Sequence, residues 1–302
     1  MRSEGGKHFR HTVCALRTLT ILAAVGACAI GRASAQQYEF DRFRNTLIDY
    51  FKGQNYFPVL VNRGYAVGDV VNVDGVNFYA RAARCFPKLK LPEPVSSTLS
   101  DVVETDAAGM NFGLRLRRLF DSNAGSDLVR RIRIKFNDVT TVSAALLDLK
   151  EALDRRVCSE IAPLIDGSVT AVDRNQQPYF IVSEVVYGKR QAELQLKASA
   201  DLQAKAKGLE SQVGDANLKV TASADGLITL TSDTVVPIAV RPVTVPKVVM
   251  VSSFDLRGGD RAELKWVPVD CSGGQACTKQ FDAFADLVKA YPPKLNADDL
   301  EQ

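Results

Sequence analysis

The sequence predicts an α+β fold: a twisted, mostly antiparallel sheet with long amphipathic β-hairpins and a few packed helices. Three observations predict it. From Gln191 to Lys207, QAELQLKASADLQAKAK, every odd-numbered position is polar and every even-numbered one is Ala or Leu. After a turn region near Gly208 and Gly214, ANLKVTASAD alternates again, with Ala216, Leu218, Val220, Ala222 and Ala224 on one side. Earlier in the chain, NFGLRLRRLF (111–120) and RIRIKF (131–136) alternate on either side of the turn-like DSNAGSD. Strict alternation is the period of an extended strand with one wet and one apolar face. A helix would spread the same residues around its circumference. Ala, Leu, Gln, Glu and Lys favour helices, but propensity is the weaker prior and the period decides for strand. At roughly 3.3 Å per residue, 191–207 would span about 50 Å, more than an ordinary core strand needs.

The chain opens with a segment that reads as a secretion signal, residues 1–35. Arg2, Lys7, Arg10 and Arg17 form its basic start, Leu19 to Gly31 its apolar stretch, and Ala33-Ser34-Ala35 a small-residue cleavage site before Gln36. Lipid attachment at Cys28, after Val25-Gly26-Ala27, is the alternative processing route. Both routes carry the mature chain out of the cytosol, into the periplasm or beyond. Both histidines, His8 and His11, lie in this segment. It also holds five of the 38 Lys/Arg and one of the 35 Asp/Glu, so the mature chain carries 33 bases against 34 acids. The basic balance of the whole chain therefore belongs to the targeting segment and does not point to nucleic acid.

Residues 36–268 are expected to form the α+β domain. Phe40, Phe43, Leu47 and Phe51 fall on one stripe of a first helix, 38–51, with Gly53 beyond its end. YFPVLVNRGYAVGDVVNV and VNFYARAARCF read as strands around an Asp74-Gly75 hairpin turn. FPKLKLPEPV is a Pro-rich connection or edge. The 112–136 hairpin is expected to end near Asn137–Thr141. It has a cationic polar face, with Arg115, Arg117, Arg131, Arg133 and Lys135 alternating with apolar residues. A helix follows from about Val142 to Leu153, with Ser143 as its cap and Leu146, Leu149 and Leu153 as its stripe. A shorter helix is expected around Ser159–Leu164. PYFIVSEVVYG is a nearly continuous apolar run that should be a central strand, with Glu184 a candidate buried acid. LITLTSDTVVPIAVRPV reads as a hairpin turning at Ser232-Asp233, and KVVMVSSFDLRGGDRAELKWVPV as another turning at Gly258–Asp260.

Residues 269–302 form a last unit: a cysteine-flanked loop, a helix over Thr278–Lys289 with Phe281, Phe284, Leu287 and Val288 on one face, and an acidic tail. The mature chain has four cysteines, Cys85, Cys158, Cys271 and Cys277. An even count in an exported protein favours disulfides. Cys271 and Cys277 flank SGGQA and are the nearest pair, which leaves Cys85 for Cys158; three pairings are open on the count alone.

No phosphate-cradling loop, dinucleotide fingerprint or metalloprotease helix occurs in the sequence. Without histidine the mature chain has no Ser-His or Cys-His nucleophile system, and zinc lacks a ligand set. A carboxylate pair for glycoside hydrolysis has no spacing signature, and the acids here are scattered along polar faces. The expectation is a non-enzyme without cofactor.

The order of these elements resembles the pore-forming N-terminal domain of the gasdermin family. An amphipathic helix in FDRFRNTLIDYFKGQ leads into YFPVLV, and a cationic hairpin follows at 112–136. Helices at 142–164 then precede YFIVSEVV, which runs into KRQAELQLKASADLQAK and on to TSDTVVPIAVRPV. The resemblance covers roughly residues 38–268. It implies that two amphipathic regions extend into β-hairpins that join neighbouring copies in a membrane barrel. Lipid and further copies of the chain are then the partners. The lipid-contact candidates it implies are Phe40, Phe43, Arg115, Arg117, Arg131, Arg133, Lys135, Leu194, Leu196, Ala198 and Leu202. The chain departs from the family in its export signal and in the short segment after its last strand. A non-enzymatic periplasmic binding or structural protein with the same fold is the alternative.

Overall fold

The computed structural model describes residues 44–45, 47–59, 64–97, 102–105, 129–170, 178–196, 218–223, 225–251, 261–272 and 274–293. Among them, eleven strands form one sheet in which every pairing is antiparallel. Three long strands carry it. These are β6 (Val129–Ser143), β8 (Tyr179–Leu196) and β10 (Leu227–Val251). β8 lies between the other two, with β6 along Glu184–Leu196 and β10 along Ile181–Gln195. The apolar run and the start of the alternating run are thus one strand. In its first half Phe180, Ile181, Val182, Val185 and Val186 are all buried. Residues of both parities are covered there, which is why the sequence is apolar without alternation.

The shorter strands flank this frame. β1 (Phe57–Pro58) and β11 (Arg261–Pro268) pair with β10, and β7 (Val169–Thr170) with β11. β2 (Val70–Asn72) pairs with β8 and with β3 (Phe78–Ala80), forming the hairpin expected at Asp74-Gly75. Asp74 accepts the Val76 and Asn77 backbone N–H groups, and Gly75 takes a left-handed φ of 72°. β4 (Val95–Ser96), β5 (Val102–Thr105) and β9 (Leu218–Ala222) complete the sheet.

Helix α1 comprises the described residues of 44–52. α2 spans Ala82–Cys85, α3 Leu146–Ala152, and α4 Ala162–Asp166 after a 3-10 turn at Ser159–Ile161. α5, Gln275–Ala290, lays Phe281 and Phe284 on the sheet, their rings 5.6 and 4.5 Å from Phe57. The buried Arg44 of α1 donates to the Val288 and Tyr291 carbonyls, satisfying the end of α5. Lys289 and Lys52 both meet the Asp49 carboxylate, and Lys52 also reaches Asp282. Partial burial raises the Asp49 pKa, but hydrogen bonds from Lys289 and Lys52 outweigh it and hold the carboxyl below its usual range. The α1–α5 link is therefore complete above about pH 4 and weakens as pH falls through that depressed value.

Several strand and helix expectations need correction. Residues 232–233 do not turn: β10 runs straight through them, with only a register shift between Thr231 and Val235. β6 likewise continues past Asn137–Thr141 to Ser143, so Ser143 ends a strand and caps no helix. Ala145 precedes α3 instead, its N–H bound by Asp148. The residues after Tyr79 turn into α2 because the Asp69 carboxylate, buried beside Arg81, accepts the Ala82 N–H. None of these partners is local in sequence, so periodicity could not find them.

Candidate functional site

Beyond the core, five strands continue as an amphipathic tip in the order β5–β6–β8–β10–β9. Cross-strand partners share a face of a sheet, so the register sorts the positions into rows. One row reads Glu104, Arg133, Glu193, Thr229, Thr221, and the next wet row Val102, Lys135, Gln191, Thr231, Lys219. The rows between them read Val103, Ile134, Ala192, Leu230, Val220 and Thr105, Ile132, Leu194, Ile228, Ala222. Four wet-face positions in five are polar in one case, and all five are apolar in the row beside it. Ile134, Ile228 and Leu230 are buried. The alternation of each strand is thus in phase with its neighbours.

This arrangement changes how the two alternating regions pair. Leu218–Ala222 does not lie against 191–196; it pairs with the far edge of β10, through a tight turn at 223–226. The 131–136 arm has β5 on one edge and β8 on the other, so at 132–135 no edge is left for 112–120. The strand at 102–105 was absent from the sequence reading. Its four residues alternate too briefly to be distinguished from a loop.

A line of irregularities separates tip from core. On β6 the register with β8 shifts between Asn137 and Thr140, where Asp138 takes a φ of 52°. On β10 it shifts between Thr231 and Val235. Both shifts fall at Lys189–Gln191 of β8. Bulges bend strands and increase their twist, so the tip and the core need not share one plane. Gly188 sits at this level, where an added Cβ would lie 3.3 Å from the Asn137 carbonyl oxygen and 3.4 Å from Ile238 and Val139. Gly188→Val is expected to lower stability by about 1–3 kcal/mol, read as a lower urea midpoint. Lys189 bonds Asp138 and Lys219 bonds Asp233 across the same line, both at 2.7 Å.

The cationic candidates do not all look outward to a partner. Glu193 lies on the wet face at 8 % exposure, with Lys135 Nζ at 2.5 Å and Arg133 at 3.9 Å. Gln191 Nε2 donates to the same carboxylate at 3.1 Å. Strand register alone brings them together, Arg133 being directly opposite Glu193. Arg131 stands opposite Gln195, Leu194 opposite Ile132 and Ile228, and Leu196 opposite Val129. Phe40, Phe43, Arg115, Arg117, Ala198 and Leu202 lie outside the described residues.

At the core end of β8, Glu184 is mostly buried and bonds Arg241 Nη1 at 2.7 Å, while the Tyr56 hydroxyl donates to its other oxygen. Arg241 stacks on the Tyr56 ring, 4.2 Å from its centroid, and donates to the Asn55 carbonyl. Burial, then the bond to Glu184, raises the Tyr56 pKa well above the ordinary phenol value. Tyr56 thus contributes its full stability below about pH 10, and loses it as pH rises through the raised value. The group is saturated by its own members and offers no reactive site.

Cys85 and Cys158 lie with their sulfurs 2.10 Å apart, and Cys271 and Cys277 with theirs 2.02 Å apart. Among the described residues no group of three His, Cys, Asp or Glu could hold a metal ion. No helix among them is long and apolar enough to cross a membrane.

The chain is similar to a bacterial gasdermin. That solved structure, from Bradyrhizobium tropiciagri, matches with a TM-score of 0.36 and 14% sequence identity, over 74% of this chain and 90% of the other. No protein-family model and no curated protein matches the sequence.

Proposed function

We propose that this protein is exported, associates with membranes and forms pores by opening two amphipathic hairpin regions into a closed barrel of several copies. The supporting observation is the in-phase alternation of five neighbouring strands at the tip. A barrel strand needs about 9–11 residues to cross a bilayer; β6 has 15 and β8 has 18. The buried apolar rows would turn to lipid, and the polar rows would line water. Closure is required because an open edge in lipid leaves backbone groups unpaired. The stripe over 192–206 is mostly alanine, so each strand gains little from lipid contact and the insertion depends on many strands acting together.

A second reading, a non-enzymatic periplasmic binding or structural protein, draws on Glu193. It already holds Arg133 and Lys135 within the soluble fold.

Release of a trapped dye from anionic lipid vesicles separates the two. The mature protein, starting at Gln36, is expected to cause release, and Ala198→Asp with Leu202→Asp to abolish it. Absence of release at every lipid charge overturns the pore reading. Export is checked by the mass of the protein recovered outside the cytosol: a start at Gln36 is expected, and a lipidated start at Cys28 replaces that cleavage site.

A further inference from the structure

Resting on the pore reading above, we infer that the polar face of the tip makes the conduit selective for anions. Two ion pairs at the base of the tip, Lys189–Asp138 and Lys219–Asp233, are internally matched. Setting them aside, the wet rows hold cationic positions Arg131, Arg133 and Lys135 against acidic positions Glu104 and Glu193. Glu193 is gripped by two cations at once, so its charge does not reach the water as a free carboxylate does. The sequence extends the same sign: the odd positions after Leu196 carry Lys197, Lys205 and Lys207 against Asp201. The mature chain as a whole has one acid more than its bases. Positive charge is therefore concentrated on the alternating strands and not spread over the surface.

In a ring of copies this surplus repeats around the lumen. Field lines are focused by the low-dielectric wall, so mobile anions are enriched along it. The reach of that enrichment is the Debye length, about 30 Å at 0.01 M salt and about 8 Å at 0.15 M. Selectivity should consequently be visible at low salt and fade at physiological salt.

The test is the reversal potential of the mature chain in a planar bilayer under a potassium chloride gradient. Chloride is expected to pass ahead of potassium by about 2–3-fold at 10 mM, falling towards parity at 150 mM as the screening length contracts. Lys219→Glu with Thr221→Glu changes two exposed positions of the edge strand β9, and should shift the reversal potential towards potassium without unfolding the protein. Conductance with equal passage, or with potassium ahead, at 10 mM overturns this inference and leaves the pore reading standing. Absence of conductance overturns both.

Discussion

Replacing both Cys85 and Cys158 with alanine is expected to lower stability by about 4 kcal/mol. The two residues are 73 apart in sequence, and both are fully buried. Closing a loop that long removes much of the freedom of the unfolded chain. The bridge also joins two segments with few other ties. α2 meets the turn before the 3-10 helix there, and the Asp154 N–H donates to the Cys85 carbonyl at 2.8 Å. The corresponding change at Cys271 and Cys277, six residues apart, should cost about 2 kcal/mol on the same scale. Urea unfolding of the two double variants measures both. If the short loop costs more than the long one, chain entropy is not the source of the stabilisation.

Glu184→Ala is expected to cost about 3–5 kcal/mol. The substitution strands the Arg241 guanidinium in a half-buried position and removes the acceptor of the Tyr56 hydroxyl. Arg241 keeps the Asn55 carbonyl at 3.2 Å and the Tyr56 ring, which limits the loss. Tyr56→Phe, which removes only one hydrogen bond, should cost about 1–1.5 kcal/mol. The coupling between the two sites, read from the double variant, should be well above zero because they share an atom. Additive losses would show that Tyr56 and Glu184 contribute independently.

The core was legible where a single element carried its own signal. The apolar run at 178–188 became the buried half of β8, because a strand covered on both faces has no polar side to display. Asp74-Gly75 became a hairpin turn because the turn's requirements are local: an acceptor side chain and a residue tolerant of positive φ. Phe281, Phe284 and Val288 became the buried face of α5 for the same reason, their spacing being helical. Where the partner was distant, the reading failed. Ser232-Asp233 carries turn chemistry, yet β8 on one side and β9 on the other hold β10 extended there, and the misfit is absorbed as a bulge. ARAARC alternates weakly like a strand, yet Asp69 thirteen residues earlier captures the Ala82 N–H and starts a helix.

The candidate site divides in the same way. Alternation by itself determined that 191–196, 131–136 and 218–222 are strands with one wet and one apolar face, since the two-residue period belongs to each strand alone. Which strands are neighbours is a different kind of fact. It depends on backbone hydrogen bonds between segments scores of residues apart, and the alternation is the same for every choice of neighbour. Only the tertiary structure decided that β8 lies between β6 and β10, and that Glu193 therefore stands between Arg133 and Lys135. A register slip of one residue would have placed that acid on the apolar face; the burial of Ile134, Ile228 and Leu230 on the opposite side holds the register where it is.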